Sequence, residues 1–180
     1  VEDVLEKYAY ILTEGEVVDR FCEEINHTRK EYEQMIEKYE KIYQEVMDEV
    51  PFFIRMSMIN IDVCSVKKKL LENCREIIEK KLVISISHIV TLNSQKIIKE
   101  IEMLREDIKP RADSVDKLVE LEAAIERIKK VENSKIKNEF EDLYKWLLTL
   151  VNTPYELSDE EIHKVYEIFK MVSAIPADVE

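Results

Sequence analysis

Glycine is almost absent from this chain, with Gly15 the only one among 180 residues. Glycine supplies the left-handed turns and phosphate-cradling loops on which many enzyme sites depend. The P-loop GxxxxGK[ST], the dinucleotide-binding GxGxxG and the hydrolase GxSxG are therefore excluded within this segment. With so few sharp turns the chain is expected to consist of long elements, and its main interruptions are Pro51, Pro110, Pro154 and Pro176.

Cysteine is scarce as well. The odd number of cysteines and the lack of a CxxC pair argue against a disulfide framework and a closed zinc site. This usage predicts a reducing, intracellular compartment for Cys22, Cys64 and Cys74. No stretch reaches the roughly 18 uncharged apolar residues of a membrane span. The chain starts at Val1 with no signal-peptide pattern, and we expect it to be a fragment of a larger protein.

Acidic side chains outnumber basic ones by 39 to 27, which gives a formal net charge of −12. An acidic surface repels nucleic-acid phosphates and anionic lipids, so neither nucleic acid nor a membrane is an expected partner. The basic clusters Lys67-Lys68-Lys69 and Lys129-Lys130 lie among acids, and each is predicted to be a solvated helix face.

Apolar residues recur at helical spacing along most of the chain. A short helix is predicted over residues 3–12 and a long one over 16–49, whose apolar stripe repeats every seven residues from Val18 to Val46. Residues 65–108 predict either one long helix or two helices with a kink near Ser85–Ser94. Residues 114–152 predict a helix with inward-facing Leu118 that unwinds or breaks near 132–134. The capping box at Ser158 starts a last helix that ends before Pro176.

Residues 51–64 are the most apolar and least helical part of the chain. We expect an extended or irregular connector packed against the helices, with a short strand as the alternative. The predicted organisation is an N-terminal helical hairpin (1–50), the apolar connector (51–64) and a helical bundle (65–180). Short connections place successive helices antiparallel. The predicted fold class is therefore all-α, an elongated antiparallel bundle of long helices with offset ends.

Two Glu-x-x-His pairs, Glu24–His27 and Glu160–His163, have the spacing of ligands in di-iron carboxylate bundles. Such ligands must project into the core, whereas on a helical wheel both pairs point away from the apolar stripes. Surface positions are favoured, and a di-iron carboxylate enzyme is the remote alternative. We predict no catalytic residue, no cofactor site and no metal site in this segment.

Four aromatic residues are candidates for contact with a partner protein, because aromatic side chains dominate binding energy at interfaces. Trp146 lies at the edge of an apolar stripe, where it either packs internally or anchors a partner. The other three candidates are Tyr144, Phe52 and Phe53.

The stretch from Val50 to Ile128 carries a pattern that extends across several helices. It starts with Val-Pro, continues through an apolar connector, and then has a Val-x-x-x-Leu helix start, a proline-containing break and a Ser-Val-x-x-Leu-x-Glu-Leu helix. The matching positions are Pro51, Asp62, Val66, Leu70, Asn93, Lys109, Pro110, Ser114, Val115, Leu118, Glu120 and Leu121. Further along, Phe140–Leu148 and Leu157–Ile162 continue it. This pattern resembles the stem of axonemal dynein heavy chains, N-terminal to the linker, although the family's glycine after the connector is missing here.

The resemblance implies a non-catalytic fragment of a microtubule motor whose ATP-hydrolysing AAA+ ring lies elsewhere in the parent chain. The stem would hold the motor on its axonemal cargo in a cilium or flagellum, within the cytoskeleton of the cytoplasm. Its implied partners are dynein intermediate chains, light chains or other heavy chains, with no small-molecule substrate. The alternative is a generic helical scaffold or tethering protein of the spectrin-like kind.

Overall fold

The computed structural model describes residues 2–24, 27–56, 58–109 and 114–178. It is mostly helical, which confirms the all-α class, and it adds one small two-stranded sheet. The helices are α1 (Glu2–Ala9), α2 (Gly15–Glu23), α3 (Arg29–Glu49), α4 (Cys64–Glu76), α5 (Val83–Ile108), α6 (Val115–Arg127), α7 (Asn133–Val151) and α8 (Asp159–Asp178). The strands are β1 (Phe53–Met56) and β2 (Ile59–Asp62).

The single helix predicted over residues 16–49 is wrong, because α2 ends at Glu23 and α3 begins at Arg29. Thr28 caps α3 through a capping box, in which its backbone N–H donates to Glu31 Oε2 at 2.6 Å. These hydrogen bonds hold the pKa of Glu31 below its ordinary value. A threonine followed three residues later by glutamate is a helix-start signature. Here it favours a new helix over continuation of the old one.

Gly15 is the first residue of α2, and its backbone does not adopt the left-handed conformation. The absence of a side chain at Gly15 lets Lys81 come close to the backbone of α2. The Lys81 ammonium donates to the Gly15 carbonyl at 3.0 Å and pairs with Asp19. A Cβ at Gly15 would lie 3.3 Å from that ammonium, so any larger residue would push against Lys81.

Helical structure is continuous from 64 to 108, with a π-helical segment at Ile77–Leu82 between α4 and α5. Buried positions here recur every four residues, at Leu70, Cys74, Ile78, Leu82, Ile86, Val90 and Ser94. In an α-helix each four-residue step rotates the stripe by about 40°. A π turn has more residues per turn than an α turn. The segment therefore reduces this rotation and keeps the stripe facing its neighbours α2 and α3.

The predicted connector at 51–64 forms an antiparallel hairpin in which Ile54 pairs with Ile61. The expectation that it packs against the helices is wrong for most of its length. Ile54 and Val63 are buried, whereas every residue of β2 is exposed. The alternating apolar residues near Ile59 correctly indicated a strand.

The chain divides into two compact units, and the boundary lies inside α5. The first unit comprises 1–87 with 153–155. Within it α3 and α4 are antiparallel, because Arg75 contacts the Tyr43 hydroxyl at 3.3 Å while Lys67, nearer the start of α4, reaches Val50 at the end of α3. The two units are defined by contacts between elements of the structure. The predicted boundaries at residues 50 and 64 are set instead by the position of Pro51 and by the change in composition, so the two divisions differ.

The second unit comprises 88–152 with 156–180. Ion pairs from Lys96 to Glu139 and from Lys135 to Glu100, at 3.0 and 3.2 Å, show that α5 and α7 run antiparallel. The helix does not break near 132–134. A π-helical segment at Ile128–Glu132 joins α6 to α7, and this wider turn agrees with the expected local unwinding.

Three finer expectations for this unit have mixed outcomes. Leu118 was expected to face inward but is exposed, and α6 contributes no buried side chain. Ser158 forms the predicted capping box, since its backbone N–H donates to Glu161 Oε2 at 2.8 Å. Helix α8 continues through Pro176 to Asp178, so the predicted stop before the proline is wrong.

Lys67 is buried, with 4% of its surface exposed, contrary to the prediction of a solvated basic cluster. Its ammonium donates to the carbonyls of Met47 at 2.6 Å and Val50 at 2.8 Å, at the end of α3. The last carbonyls of a helix have no partner within the helix. A cation there satisfies them and interacts favourably with the helix dipole.

Replacing Lys67 with methionine should destabilise the fold by about 3 kcal/mol. The loss is that of two charge-assisted hydrogen bonds, with the aliphatic stem retained. Lys68→Met is the matched control, because Lys68 is exposed and pairs only loosely with Glu72 at 3.9 Å. Its cost should stay within about 0.5 kcal/mol. Urea unfolding of both variants measures the difference, and equal costs would contradict the structural role of Lys67.

Candidate functional site

The first candidate surface is the hairpin surface, formed by Phe52, Phe53, Met58, Ile59 and Ile61. All five apolar side chains are exposed. Phe53 keeps 65% of its surface open, and Met58, at the hairpin turn, is fully open. The register divides these side chains between two sides, with Ile59 and Ile61 on the face that carries Ile54 and Phe53 on the opposite face. Exposed apolar side chains in this number mark a candidate binding site.

Phe52 is held in place although it is exposed. The Lys67 ammonium lies 4.3 Å from the centre of its ring. The backbone N–H of Val63 donates to the Phe52 carbonyl at 2.9 Å. A cation over an aromatic face is attractive. Lys67 therefore fixes the base of the hairpin as well as the end of α3.

The hairpin also offers backbone hydrogen-bonding groups. Hydrogen-bonded and non-bonded residue pairs alternate along an antiparallel ladder. Given the Val63–Phe52 bond, the backbone groups of Phe53 and Arg55 in β1 and of Asn60 and Asp62 in β2 point away from the partner strand. No third strand pairs with either edge within the ranges that the structure describes. Such edges can accept an added strand.

The second candidate surface is the α7–α8 surface. It consists of six apolar side chains, each about half exposed. They are Tyr144, Leu148 and Val151 of α7 and Ile162, Tyr166 and Phe169 of α8. In both helices the three residues have i, i+4, i+7 spacing, which places them in one row.

The two rows lie side by side. Phe140 and Phe169 are in ring contact, with centroids 6.1 Å apart. The connector at 152–158 is short, so α7 and α8 run antiparallel. Moving about one turn from Phe140 and Phe169 towards the connector reaches Tyr144 on α7 and Tyr166 on α8, which are therefore at the same level. The rows form the two walls of a shallow apolar groove.

Helix α8 leaves Ile162, Tyr166 and Phe169 about half exposed. Its buried face is formed by Ile168, Val172 and Ile175, with Val165 half buried. The helix carries two apolar stripes, of which one is buried and the other is left about half exposed. The uncovered stripe becomes one wall of the α7–α8 surface.

Trp146 lies away from this groove. It is half buried and lines a cleft of about 260 Å³ between α5 and α7, beside Ile97 and Leu143. The ion pair of Lys96 and Glu139 belongs to the same cleft. Two residues along a helix correspond to about 200° of rotation, so Trp146 and Tyr144 point to different sides. Of the four predicted contact residues, the structure places Phe52 and Phe53 together and separates Tyr144 from Trp146.

An open groove of about 710 Å³ in the first unit is lined by Tyr43, Arg75, Ile78 and Glu79. The Arg75 guanidinium lies over the Tyr43 ring and pairs with Glu79 at 3.7 Å. Its charge is neutralised by its own neighbours. The rest of the lining includes the charged side chains Glu37, Glu40 and Lys41 at this open surface.

Among the described residues, no cluster of three or more suitable metal ligands occurs around either Glu-x-x-His pair. His27 lies between α2 and α3, so the helical-wheel argument did not apply to it. It stacks on Phe21 with ring centroids 3.8 Å apart. His163 is exposed and lies 3.5 Å from Glu167 on its own helix.

The thiols differ in reactivity. Burial raises the pKa of Cys74 to about 11, and it also raises the pKa of the half-buried Cys22. Only the thiolate is an effective nucleophile. Both side chains therefore act as packing groups, and Cys64 is the exposed thiol.

No protein-family model matches this chain, and a search of curated proteins also gives no match. The resemblance to dynein stems therefore rests on the sequence pattern. In the described ranges, no helix combines the length and the apolar character that crossing a membrane requires.

Sequence reasoning missed most of both surfaces. Met58, Ile59 and Ile61 were recognised as apolar but were expected to pack inward. The uncovered row of α8 had a signal, because Ile168 and Ile175 form a second apolar stripe beside the first. Two stripes on one helix mean that one of them is left over wherever only one neighbour is available.

Phe53 and Ile54 provide a direct test of the hairpin surface, since they are adjacent and have opposite exposure, 65% and 9%. Phe53→Ala should change the free energy of unfolding by less than about 0.5 kcal/mol. Ile54→Ala should cost about 2–4 kcal/mol, because it opens a cavity beneath the strand. Urea unfolding measures both, and a large loss for Phe53→Ala would show that this ring is buried in solution.

Proposed function

We propose that this chain is a non-catalytic stem segment of a dynein heavy chain, a microtubule motor of cilia and flagella. In this role it links the motor to its axonemal cargo and docks intermediate or light chains. The single observation that carries the proposal is the pattern from Val50 to Ile128. It coincides with structural boundaries, since the Val-Pro step lies at the end of α3 and Ser114 caps α6.

The physical character of the chain supports a role in holding other molecules. It is built from helices, which span distance without flexible loops, and it carries two exposed apolar surfaces. No P-loop is possible with one glycine, so the proposed segment would not itself hydrolyse ATP.

We further propose that the helices form an elongated antiparallel bundle with offset ends. Two antiparallel helix pairs support this arrangement, α3 with α4 and α5 with α7. The helices also differ in length, since α2 has 9 residues and α5 has 26, so they cannot all overlap end to end.

Small-angle X-ray scattering should therefore give a radius of gyration above about 20 Å for the chain at low concentration. A compact chain of 180 residues would give about 16 Å. The concentration series is the control, since self-association would also raise the value. A radius near the compact limit would contradict the elongated bundle.

Capture of axonemal proteins tests the docking function. The tagged chain should retain dynein intermediate or light chains from an axonemal extract, identified by mass spectrometry. Phe53→Ser or the pair Tyr144→Ser/Tyr166→Ser should lower this capture by about tenfold, the effect of losing a central interface side chain.

Met103→Ser is the matched control for capture, since Met103 is also an exposed apolar residue but lies on α5, outside both surfaces. It should leave capture unchanged. Failure to retain any dynein subunit would contradict the proposal. Retention of other cytoskeletal proteins instead would favour the alternative, a spectrin-like scaffold or tethering protein.

A further inference from the structure

The α7–α8 surface has the form of a groove for a single helix. Each wall is a row with i, i+4, i+7 spacing, so each extends over about 10 Å, or two helical turns. The ridge of a third helix fits between two packed helices. Amphipathic helices present anchors at this same spacing when they occupy apolar grooves.

The size of the surface argues for one helix over a second copy of this chain. Tyr144, Tyr166 and Phe169 each leave about half of their area open, or roughly 80–130 Å² apiece. With the three aliphatic residues the patch reaches the few hundred Å² of a typical binding patch. It falls short of the roughly 800 Å² per partner in a standard stable interface.

The charge of the chain points in the same direction. A second copy would bring together two chains that each carry a net charge of −12. At the connector end of the groove Glu156, Asp159 and Glu160 are all exposed. These carboxylates favour a partner with basic side chains at that end.

We infer that the α7–α8 surface is the docking site for an amphipathic helix of a partner protein, with apolar anchors at i, i+4 and i+7 and basic residues at one end. This inference rests on the proposed docking function and specifies the partner's chemistry. Tyr144 and Tyr166 are the main contacts, since they are the two tyrosines at the same level of the two walls. Lys170 reinforces one wall, with its ammonium 4.4 Å from the centre of the Tyr166 ring.

Binding of designed peptides tests the inference with the full chain. The probe is a fluorescein-labelled amphipathic helix of about 18 residues, or five turns, with leucine anchors at the stated spacing and lysine at its ends. A second peptide has the same apolar face and glutamate at its ends. By fluorescence anisotropy the lysine peptide should bind at least tenfold more tightly at low salt. The gap should narrow at high salt, because exposed charges are screened.

Substitution in the groove provides the second readout. Tyr144→Ser/Tyr166→Ser should weaken binding of the lysine peptide at least tenfold, while Met103→Ser should leave it unchanged. Urea unfolding of the double variant checks that the fold is intact. Equal binding of both peptides, or unchanged binding to the double variant, would overturn the inference. So would a dimer of the chain alone, seen by sedimentation and lost in the double variant.

The two proposals fail separately. Capture of intermediate chains that depends on Phe53, with no binding of the lysine peptide, would refute the helix groove and leave the stem function standing. Binding of the peptide at Tyr144 and Tyr166, with no axonemal subunit captured, would support the groove and refute the stem function.

Discussion

One buried ammonium group organises the first unit. Helix α3 ends where Pro51 prevents its continuation, and this leaves carbonyls without partners inside the helix. Lys67, from the first turns of α4, supplies the missing donor to Met47 and Val50 and places its charge over Phe52. The end of α3, the base of the hairpin and the start of α4 are thereby joined at one point. The exposed strands can extend from this joint because Lys67 and the buried side chain of Ile54 fix the base of the hairpin.

The spacing of apolar residues in the sequence explains both the buried stripe along residues 64–108 and the π-helical segment within that stretch. Local periodicity in the sequence, with steps of four between apolar residues from Leu70 to Ile86, coincides with buried positions along this stretch. It did not predict how the backbone absorbs the resulting rotation. A kink near Ser85 and a π-helical segment at Ile77–Leu82 both accommodate such a stripe. The choice depends on contacts with α2 and α3, which are distant in sequence.

Features set by neighbouring residues in the sequence were predictable, whereas features that depend on contacts between distant segments were not. The capping box at Ser158 is local, and it was predicted from four residues. The equivalent box at Thr28 lies inside a continuous heptad pattern, which outweighed it. Lys67 could not be distinguished from Lys68 and Lys69, because burial of one lysine in three depends on the carbonyls of another helix. Phe52, Phe53 and Tyr144 are exposed whereas Trp146 is half buried, and this difference depends on which neighbouring element covers each aromatic side chain.

The net negative charge of this chain counteracts the tendency of its exposed apolar side chains to associate with one another. Open rows such as those of α7 and α8 would promote self-association in a neutral protein. A net charge of −12 opposes contact between copies at long range, while it attracts a basic partner over the same distance. The apolar residues then supply the affinity once a partner is in contact, and the charges decide which partners are attracted. An interaction segment built in this way stays available for a partner of opposite charge without first having to dissociate from itself.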